Sequence, residues 1–470
     1  MGKWKKLGTN VILMSIGSIG SKLITFLMVP FYTAVLSTGD YGIADLIFTT
    51  VNLLAPIFTM TVSEAVLRFA LDKNTENKQV LTIGLSINTI GAVVLLCLSP
   101  LICFVPSLKP YVGYFILYYL SYTFYNLVLS FTSGIGKVPL YTFASICQTI
   151  ILVVSNIVSL LVFKLGIQGY LLSYVLSYFC ATLILFWGGK EYHYCVSPFH
   201  IRKEDVIKMM KYSLPMIPNT ISWWVSNSSD KYMLAAICGV TVNGIYSVAY
   251  KIPTILSVVF GIFMSAWRLS AVDDFGSKEC QRFYSTVYRN IEGGIVIVAA
   301  GIILANKYLA SLLFAKEFYV AWVYVPVLVI AFMVHGLGEF FGSVYTSAQK
   351  TSVLFYSSFT GAISNVIMNV ILIPIYGGLG AAIATLLSYL VILIFRMIHS
   401  RKIMPIHMNV VHSVISFLLL VGMCIVQTVD MEYSFYTSLL LFLIIIFIEK
   451  TLIIDFGIKM IRKVKRRNRG

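Results

Sequence analysis

The sequence predicts an all-α polytopic membrane protein of about 14 transmembrane helices: two six-helix lobes in parallel pseudo-two-fold repeat, plus two C-terminal helices. Three observations lead there. Of 470 residues, 59% are hydrophobic and only 11% charged, and the mean hydropathy of +0.88 lies far from that of a soluble globular chain. Apolar stretches of roughly 18–25 residues recur throughout, each long enough to cross about 30 Å of hydrocarbon as a helix. A barrel would read instead as much shorter alternating strands. The third observation is an internal repeat at a separation of about 210 residues.

The N-terminal lobe, 1–188, takes spans at 10–35, 42–66, 80–104, 112–133, 140–162 and 168–188. Met1-Gly-Lys-Trp-Lys-Lys6 runs into the first span with no small-residue cleavage site, so that span is expected to stay in the mature protein. Gly17, Gly20 and Pro30 predict that it bends. The cytoplasmic linker, 189–212, holds Ile201-Arg-Lys-Glu-Asp-Val-Ile-Lys-Met-Met-Lys211, a short helix expected at the membrane surface. The C-terminal lobe, 213–397, takes spans at 213–238, 243–267, 288–313, 320–346, 352–374 and 379–397, and Leu214-Pro-Met-Ile-Pro218 gives its opening helix the same expectation of a bend. Spans 410–428 and 433–454 fill the segment 398–454, and 455–470 is a basic cytoplasmic tail.

The repeat is carried by landmarks. Lys137, Asn156, Gly166-Ile-Gln-Gly169 and Ser177-Tyr178 recur in order as Lys350, Asn369, Gly377-Gly-Leu-Gly380 and Ser388-Tyr389, and Gly42-Ile43 is echoed more weakly by Gly244-Ile245. Six spans per copy is an even number, so the two copies keep the same orientation in the membrane. Lys and Arg concentrate on one side: the outer loops carry only Lys109, Lys164 and Lys316, which predicts N-in, C-in topology. The tail Lys459-Met-Ile-Arg-Lys-Val-Lys-Arg-Arg-Asn-Arg469 beside a final span suits anionic lipid headgroups, so the net charge of +16 does not point to nucleic acid. Eight cysteines fall singly with no CxxC, supporting neither a metal centre nor a disulfide scaffold. Gly134-Ile-Gly-Lys137 lacks the spacing of a P-loop.

Charges inside apolar spans are costly and mark wet or paired interiors. The candidates are Lys22, Asp45, Glu64, Arg68, Asp230, Lys231, Lys251, Arg268, Glu292, Lys307 and Glu339. Spans one, two, seven and eight hold five of the basic ones, whereas spans three to six and eleven to fourteen hold almost no mid-membrane charge. A cationic interior of that kind suits an anionic substrate. Some candidates also have an ordinary reading: Arg68 and Arg268 near helix ends can snorkel and Asp230-Lys231 can be an interfacial pair, while Lys22 and Lys251 are expected in the cavity; the aromatic Trp223, Trp224 and Trp267 can stack on sugars or fill space.

Phe26-Leu-Met-Val-Pro-Phe-Tyr-Thr-Ala-Val-Leu-Ser-Thr-Gly-Asp-Tyr-Gly42, Leu214-Pro-Met-Ile-Pro218 with Asp230-Lys231, and Gly244-Ile-Tyr-Ser-Val-Ala-Tyr250 resemble the first, seventh and eighth helices of the polysaccharide (Wzx-type) oligosaccharide flippases of the MOP exporter superfamily. The similarity extends over essentially the whole chain, through short and degenerate motifs. It implies a flippase of the bacterial inner membrane. By alternating access this would carry an undecaprenyl-pyrophosphate-linked oligosaccharide to the outer leaflet for surface polysaccharide (O-antigen or capsule-type) biosynthesis. Its partners are then the lipid-linked substrate, membrane lipids and other polysaccharide assembly proteins. No bond is made or broken, so no enzyme is expected, and no cofactor beyond sodium or proton coupling. The resemblance assigns pyrophosphate contacts to Lys22, Arg68, Lys231, Lys251 and Arg268, mostly lysines where similar lipid II flippases carry arginines. It places a sodium site, known in some relatives, at Asp230, Asn365, Asn369 and Thr385, with one carboxylate; the two asparagines also suit plain interhelical hydrogen bonding. Two rival readings are a multidrug or organic-cation exporter of the same superfamily, which calls for cavity carboxylates, and a membrane polysaccharide polymerase, which calls for a substantial outer loop.

Overall fold

The computed structural model describes residues 20–450 apart from 73–74, 198–200, 271–277, 349 and 430–431; Gly17 and the basic tail lie outside the described residues. All regular structure among the described residues is helical, and every expected span contains helix, with breaks at 59–61 and 250–253 inside two of them. Among the described residues, nine helices are long and apolar enough to cross a membrane, or ten with one bent pair, and one of the nine holds both spans of 352–400. The chain forms two compact units: Met1–Ser228 with Gly239–Gly244, and Ser229–Cys238 with Ile245–Gly470. Residues 213–228, which the sequence assigns to the second lobe, therefore group with the first unit.

In the first unit, α1 (Gly20–Val35) is interrupted at Met28, because Pro30 has no N–H to offer the carbonyl four residues back. Helix α2 (Thr38–Phe58) starts on Ser37, whose hydroxyl accepts from the Asp40 N–H at 3.0 Å, with Asp40 in the favourable first turn. The expected single span 42–66 is not continuous. Met60 and Thr61 take φ of 52° and 49°, and the Thr61 N–H closes back on the Pro56 carbonyl at 3.1 Å, as at a helix C-terminus. The chain restarts as α3 (Val62–Ala70).

Next come α4 (Asn77–Leu98), α5 (Val112–Gly134), α6 (Val138–Ile157), α7 (Gly166–Gly188) and the linker helix α8 (Lys203–Ser213). Val62, Val66, Val80, Ile83, Leu127, Phe131 and Met209 form one buried cluster. The linker helix thus has a face on protein, through Met209, as well as its charged face. Tyrosines at a four-residue spacing on α7, Tyr170, Tyr174 and Tyr178, meet Phe48, Tyr118 and Tyr122 with ring centroids 4.5–6.2 Å apart. Asn156 donates to the Tyr32 hydroxyl at 3.3 Å, an interhelical bond of the kind the sequence anticipates.

Glycine is required where the segment Gly239–Gly244 lies on α2. A Cβ on Gly42 would stand 2.0 Å from the Val240 carbonyl oxygen, and one on Gly244 would stand 1.9 Å from that of Thr38. The Asn243 amide donates to the Gly42 carbonyl at 3.1 Å across this contact. The weak repeat match of these two glycines therefore marks a backbone-to-backbone approach.

Past α7, Glu191 is 0% exposed, accepts from the Thr132 hydroxyl, and lies beside Lys137, whose ammonium donates to the Gly189 carbonyl. Burial pushes its carboxyl from the usual 4.5 up to about 7, against the lowering effect of Thr132 and Lys137. Between those values the folded chain holds a proton that the unfolded chain has released. The contribution to stability is therefore full below about pH 4.5 and lost as pH rises to about 7, a change of about 3 kcal/mol. Thermal unfolding in detergent is expected to show this fall, and Glu191→Gln to remove it, leaving the variant more stable than the parent at pH 8.

Helix α9 (Ile217–Ile237) passes from the first unit into the second at Ser228–Ser229. It is followed by α10 (Val240–Ala249) and α11 (Thr254–Ser270), bent by 40° at the stretch that contains Pro253. The second unit continues with α12 (Lys278–Leu304), α13 (Asn306–Leu313), α14 (Val325–Ser347), α15 (Thr351–Ser400), α16 (Val410–Thr428) and α17 (Ser434–Ile448). Gly377, at φ 56° and ψ −130°, breaks α15 into the two expected spans. Helix α14 is the central one, buried along most of its length and packed most extensively on α15. Trp267 belongs to this core: 3% exposed, edge-on to Tyr284 at 4.6 Å, its indole N–H on the Ser343 hydroxyl at 2.8 Å.

Candidate functional site

A buried polar cluster of the second unit forms around Asp230, 2% exposed on α9. Tyr246 and Tyr250 lie four residues apart and so project from one face. Both hydroxyls donate to Asp230 Oδ2 at 2.8 Å and stand 3.2 Å from each other. Thr385 Oγ1 lies 3.4 Å from the same oxygen, and the Lys231 backbone N–H donates to Oδ1 at 2.9 Å. A carboxylate taken from water needs such donors, because an uncompensated buried charge is far costlier than the hydrogen bonds that hold it.

Adjoining it, Asn365 Oδ1 accepts from the Ser229 hydroxyl at 3.0 Å and from the Asn369 amide at 2.9 Å, while its own amide reaches Ser388 Oγ at 3.4 Å. Asn369 is 0% exposed, and its Oδ1 has no hydrogen-bond partner among the described residues. The structure thus links Asp230 to Thr385, and Asn365 to Asn369, with Ser229 and Asp230 adjacent in the chain. No group of three or more His, Cys, Asp or Glu residues able to hold a metal occurs among the described residues. The oxygen donors of the cluster, with one carboxylate and the unsatisfied Asn369 carbonyl, fit a hard monovalent cation.

The expected cations are divided between the units. Lys22 on α1 and Arg68 on α3 are exposed in the first, and Arg68 follows Glu64 by one helical turn. In the second, Lys231 and Lys251 are half-buried and flank the Asp230 cluster in sequence, with the Lys231 ammonium 5.7 Å from the Tyr250 ring centroid. Arg268 lies on α11, its side chain outside the described residues.

Three other expected charges have local partners: Lys307 stands 4.7 Å over the Trp322 ring, Glu292 is 3.4 Å from the Tyr288 hydroxyl, and Glu339 pairs with Arg396 at 2.8 Å. Asp45 is half-buried on α2. Arg396, near the end of span twelve, is 3% exposed, a buried charge absent from the sequence candidates. The tyrosine pair around Asp230 was also missed, though its four-residue spacing stands in the sequence.

The profile of the polysaccharide biosynthesis protein family matches residues 7–267, more than half of the chain. No protein of curated function matches the sequence. Among solved structures, the chain is similar to the lipid II flippase MurJ in its inward closed conformation, with a TM-score of 0.66 at 15% identity over 94% of this chain and 100% of that one. It is also similar to an inward-facing multidrug resistance MATE family transporter of the MOP superfamily, with a TM-score of 0.67 at 13% identity over 84% of this chain and 98% of that one. A third likeness is to a MOP superfamily transporter from Pyrococcus furiosus, described as having a binding pocket of reversed polarity, with a TM-score of 0.56 at 14% identity over 84% of this chain and 96% of that one. These neighbours are transporters, not enzymes. The chain is a multi-pass helical protein with the fold of the MOP superfamily, and it belongs to the polysaccharide biosynthesis protein family.

Proposed function

We propose that the protein is a flippase that carries an undecaprenyl-pyrophosphate-linked oligosaccharide from the cytoplasmic to the outer leaflet of the bacterial inner membrane, N-in and C-in, for surface polysaccharide assembly. The observation that carries this reading is the contrast in access. Asp230 is 2% exposed and enclosed by tyrosine, threonine and backbone donors, whereas Lys22 and Arg68 are exposed on α1 and α3. A bulky organic cation has no access to the buried Asp230 carboxylate, whereas a pyrophosphate meets exposed cations. The MurJ-like and MATE-like folds support transport by alternating access.

Lys22, Arg68, Lys231 and Lys251 would hold the pyrophosphate by charge and hydrogen bonding, with Arg268 on the same set of helices. Asp230, Asn365, Asn369 and Thr385 would hold sodium, which supplies a transport-coupling charge; a proton on the same cluster is the second reading. Moving a charge through the membrane potential contributes about 2.3 kcal/mol per 100 mV, enough to bias a cycle without ATP. Deleting the gene is expected to make a lipid-linked glycan accumulate on the inner leaflet. Unchanged surface polysaccharide with no accumulating lipid would contradict the assignment.

A further inference from the structure

The first unit holds a polar cavity of about 270 Å³ at the break between α2 and α3, on which none of the preceding roles draws. Pockets for drug-sized ligands run from about 300 to 1,000 Å³, so this one suits a single ring. Its walls include Asn52, Ser63, Glu64, Asn88, Tyr122 and Asn126, and no lysine, arginine or histidine among the described residues lines it. With a carboxylate and no cation among those residues the lining does not suit a phosphate, while its amides and hydroxyls suit a group rich in hydroxyls.

Asn88 is the decisive side chain. It is 1% exposed, lines the cavity, and neither its amide oxygen nor its amide nitrogen has a hydrogen-bond partner among the described residues. Buried polar atoms are almost always satisfied, so an amide left with both ends open points to a ligand or to water. Vicinal hydroxyls, each donor and acceptor, match an amide that presents one acceptor beside two donors.

The surrounding groups leave that role to few residues. Thr59, Thr61 and Thr123 spend their hydroxyl protons on the carbonyls of Ala55, Ser213 and Tyr119, at 2.7, 2.7 and 2.9 Å. The Asn126 amide nitrogen is held on the Tyr122 carbonyl at 2.8 Å, so Asn126 offers its carbonyl oxygen as an acceptor. Glu64 is exposed and supplies a carboxylate acceptor, and the half-buried Tyr122 ring offers an apolar face of the kind that sugar C–H groups cover. The left-handed Met60 and Thr61, by ending α2 here, set Ser63 and Glu64 on the cavity wall.

We infer that this cavity is a subsite for one neutral sugar ring of the transported glycan, with Asn88, Asn126 and Glu64 reading its hydroxyls. The inference rests on the flippase reading and adds the place where sugar, as distinct from pyrophosphate, is recognised.

The test uses the full chain in nanodiscs and compares binding, by native mass spectrometry, of undecaprenyl pyrophosphate and of the same lipid bearing one N-acetylhexosamine. The parent is expected to bind the glycosylated lipid about tenfold more tightly, the worth of one or two added hydrogen bonds. Asn88→Leu and Asn126→Ala are expected to bring the ratio close to one while the sugar-free lipid still binds. Asn126→Ala, on a half-buried wall, gives the same readout should Asn88→Leu fail to fold. A ratio unchanged in folded variants, or a parent that binds both lipids equally, overturns the subsite and leaves a water-filled pocket. A parent that binds neither lipid overturns the flippase reading, and the subsite with it.

Discussion

Arg396→Met is expected to destabilise the protein by about 3–5 kcal/mol, the cost of breaking a buried ion pair by removing one partner. Arg396 lies in the second half of α15 with its side chain 4% exposed, and it converges on four oxygens. Nε donates to Ser357 Oγ at 3.0 Å, Nη2 to Ser358 Oγ at 3.3 Å, and Nη1 both to the Gly338 carbonyl at 3.0 Å and to Glu339 Oε1 at 2.8 Å. The Tyr345 hydroxyl adds a bond to the Arg396 carbonyl at 2.8 Å. One side chain therefore ties α14 to both ends of the folded-back α15. Removing it takes from Glu339, whose side chain is 33% exposed, the guanidinium that pairs with it. The double variant Arg396→Met, Glu339→Met is expected to recover much of the loss, because replacing a whole buried pair by apolar groups is often nearly neutral. Thermal unfolding in detergent checks both. A single variant as stable as the parent would show that the pair does not hold these helices together.

Lys22→Ala is expected to abolish translocation while leaving membrane insertion and thermal stability intact. The side chain is exposed on α1, so its removal opens no cavity. Its neighbour Ser21 is the one engaged in packing, accepting from the Thr149 hydroxyl at 2.8 Å. An ammonium within an apolar span is too costly to persist without use, and a phosphate ligand is the use that fits its sign. Lys22→Arg is expected to retain transport, because charge is kept and the guanidinium adds a bidentate fork. Full transport by Lys22→Ala, measured as appearance of lipid-linked glycan on the far leaflet, would return this lysine to a structural role.

Much of this was legible in the sequence because membrane helices announce themselves by length and hydropathy alone. The repeat landmarks were informative for the same reason. Asn156 and Asn369, too polar for a lipid-facing position, are both 0% exposed in hydrogen-bonded sites. Partnership across helices was less legible. Asp230 looked like half of a pair with its neighbour Lys231, yet its side-chain donors come from α10 with Tyr250, and from α15, 155 residues away. Arg396 lies near a helix end, where snorkelling is the default expectation, and only the fold shows Glu339, Ser357 and Ser358 gathered around it. The break at Met60 and Thr61 was hidden because neither residue is a glycine, and left-handed conformations in other residues leave no trace in the sequence. The same break forms the cavity lined by Asn88.

The central claim, that this chain moves an anionic lipid-linked glycan and not a cationic solute, is tested most directly in liposomes. The purified full chain would be reconstituted with a fluorescent undecaprenyl-pyrophosphate-linked oligosaccharide in one set and a cationic dye in another. Protease-free vesicles without protein would serve as the baseline. The account predicts protein-dependent transfer of the glycan lipid between leaflets, lost in Lys22→Ala, and no transport of the dye. Dye transport with a stationary glycan lipid would contradict it.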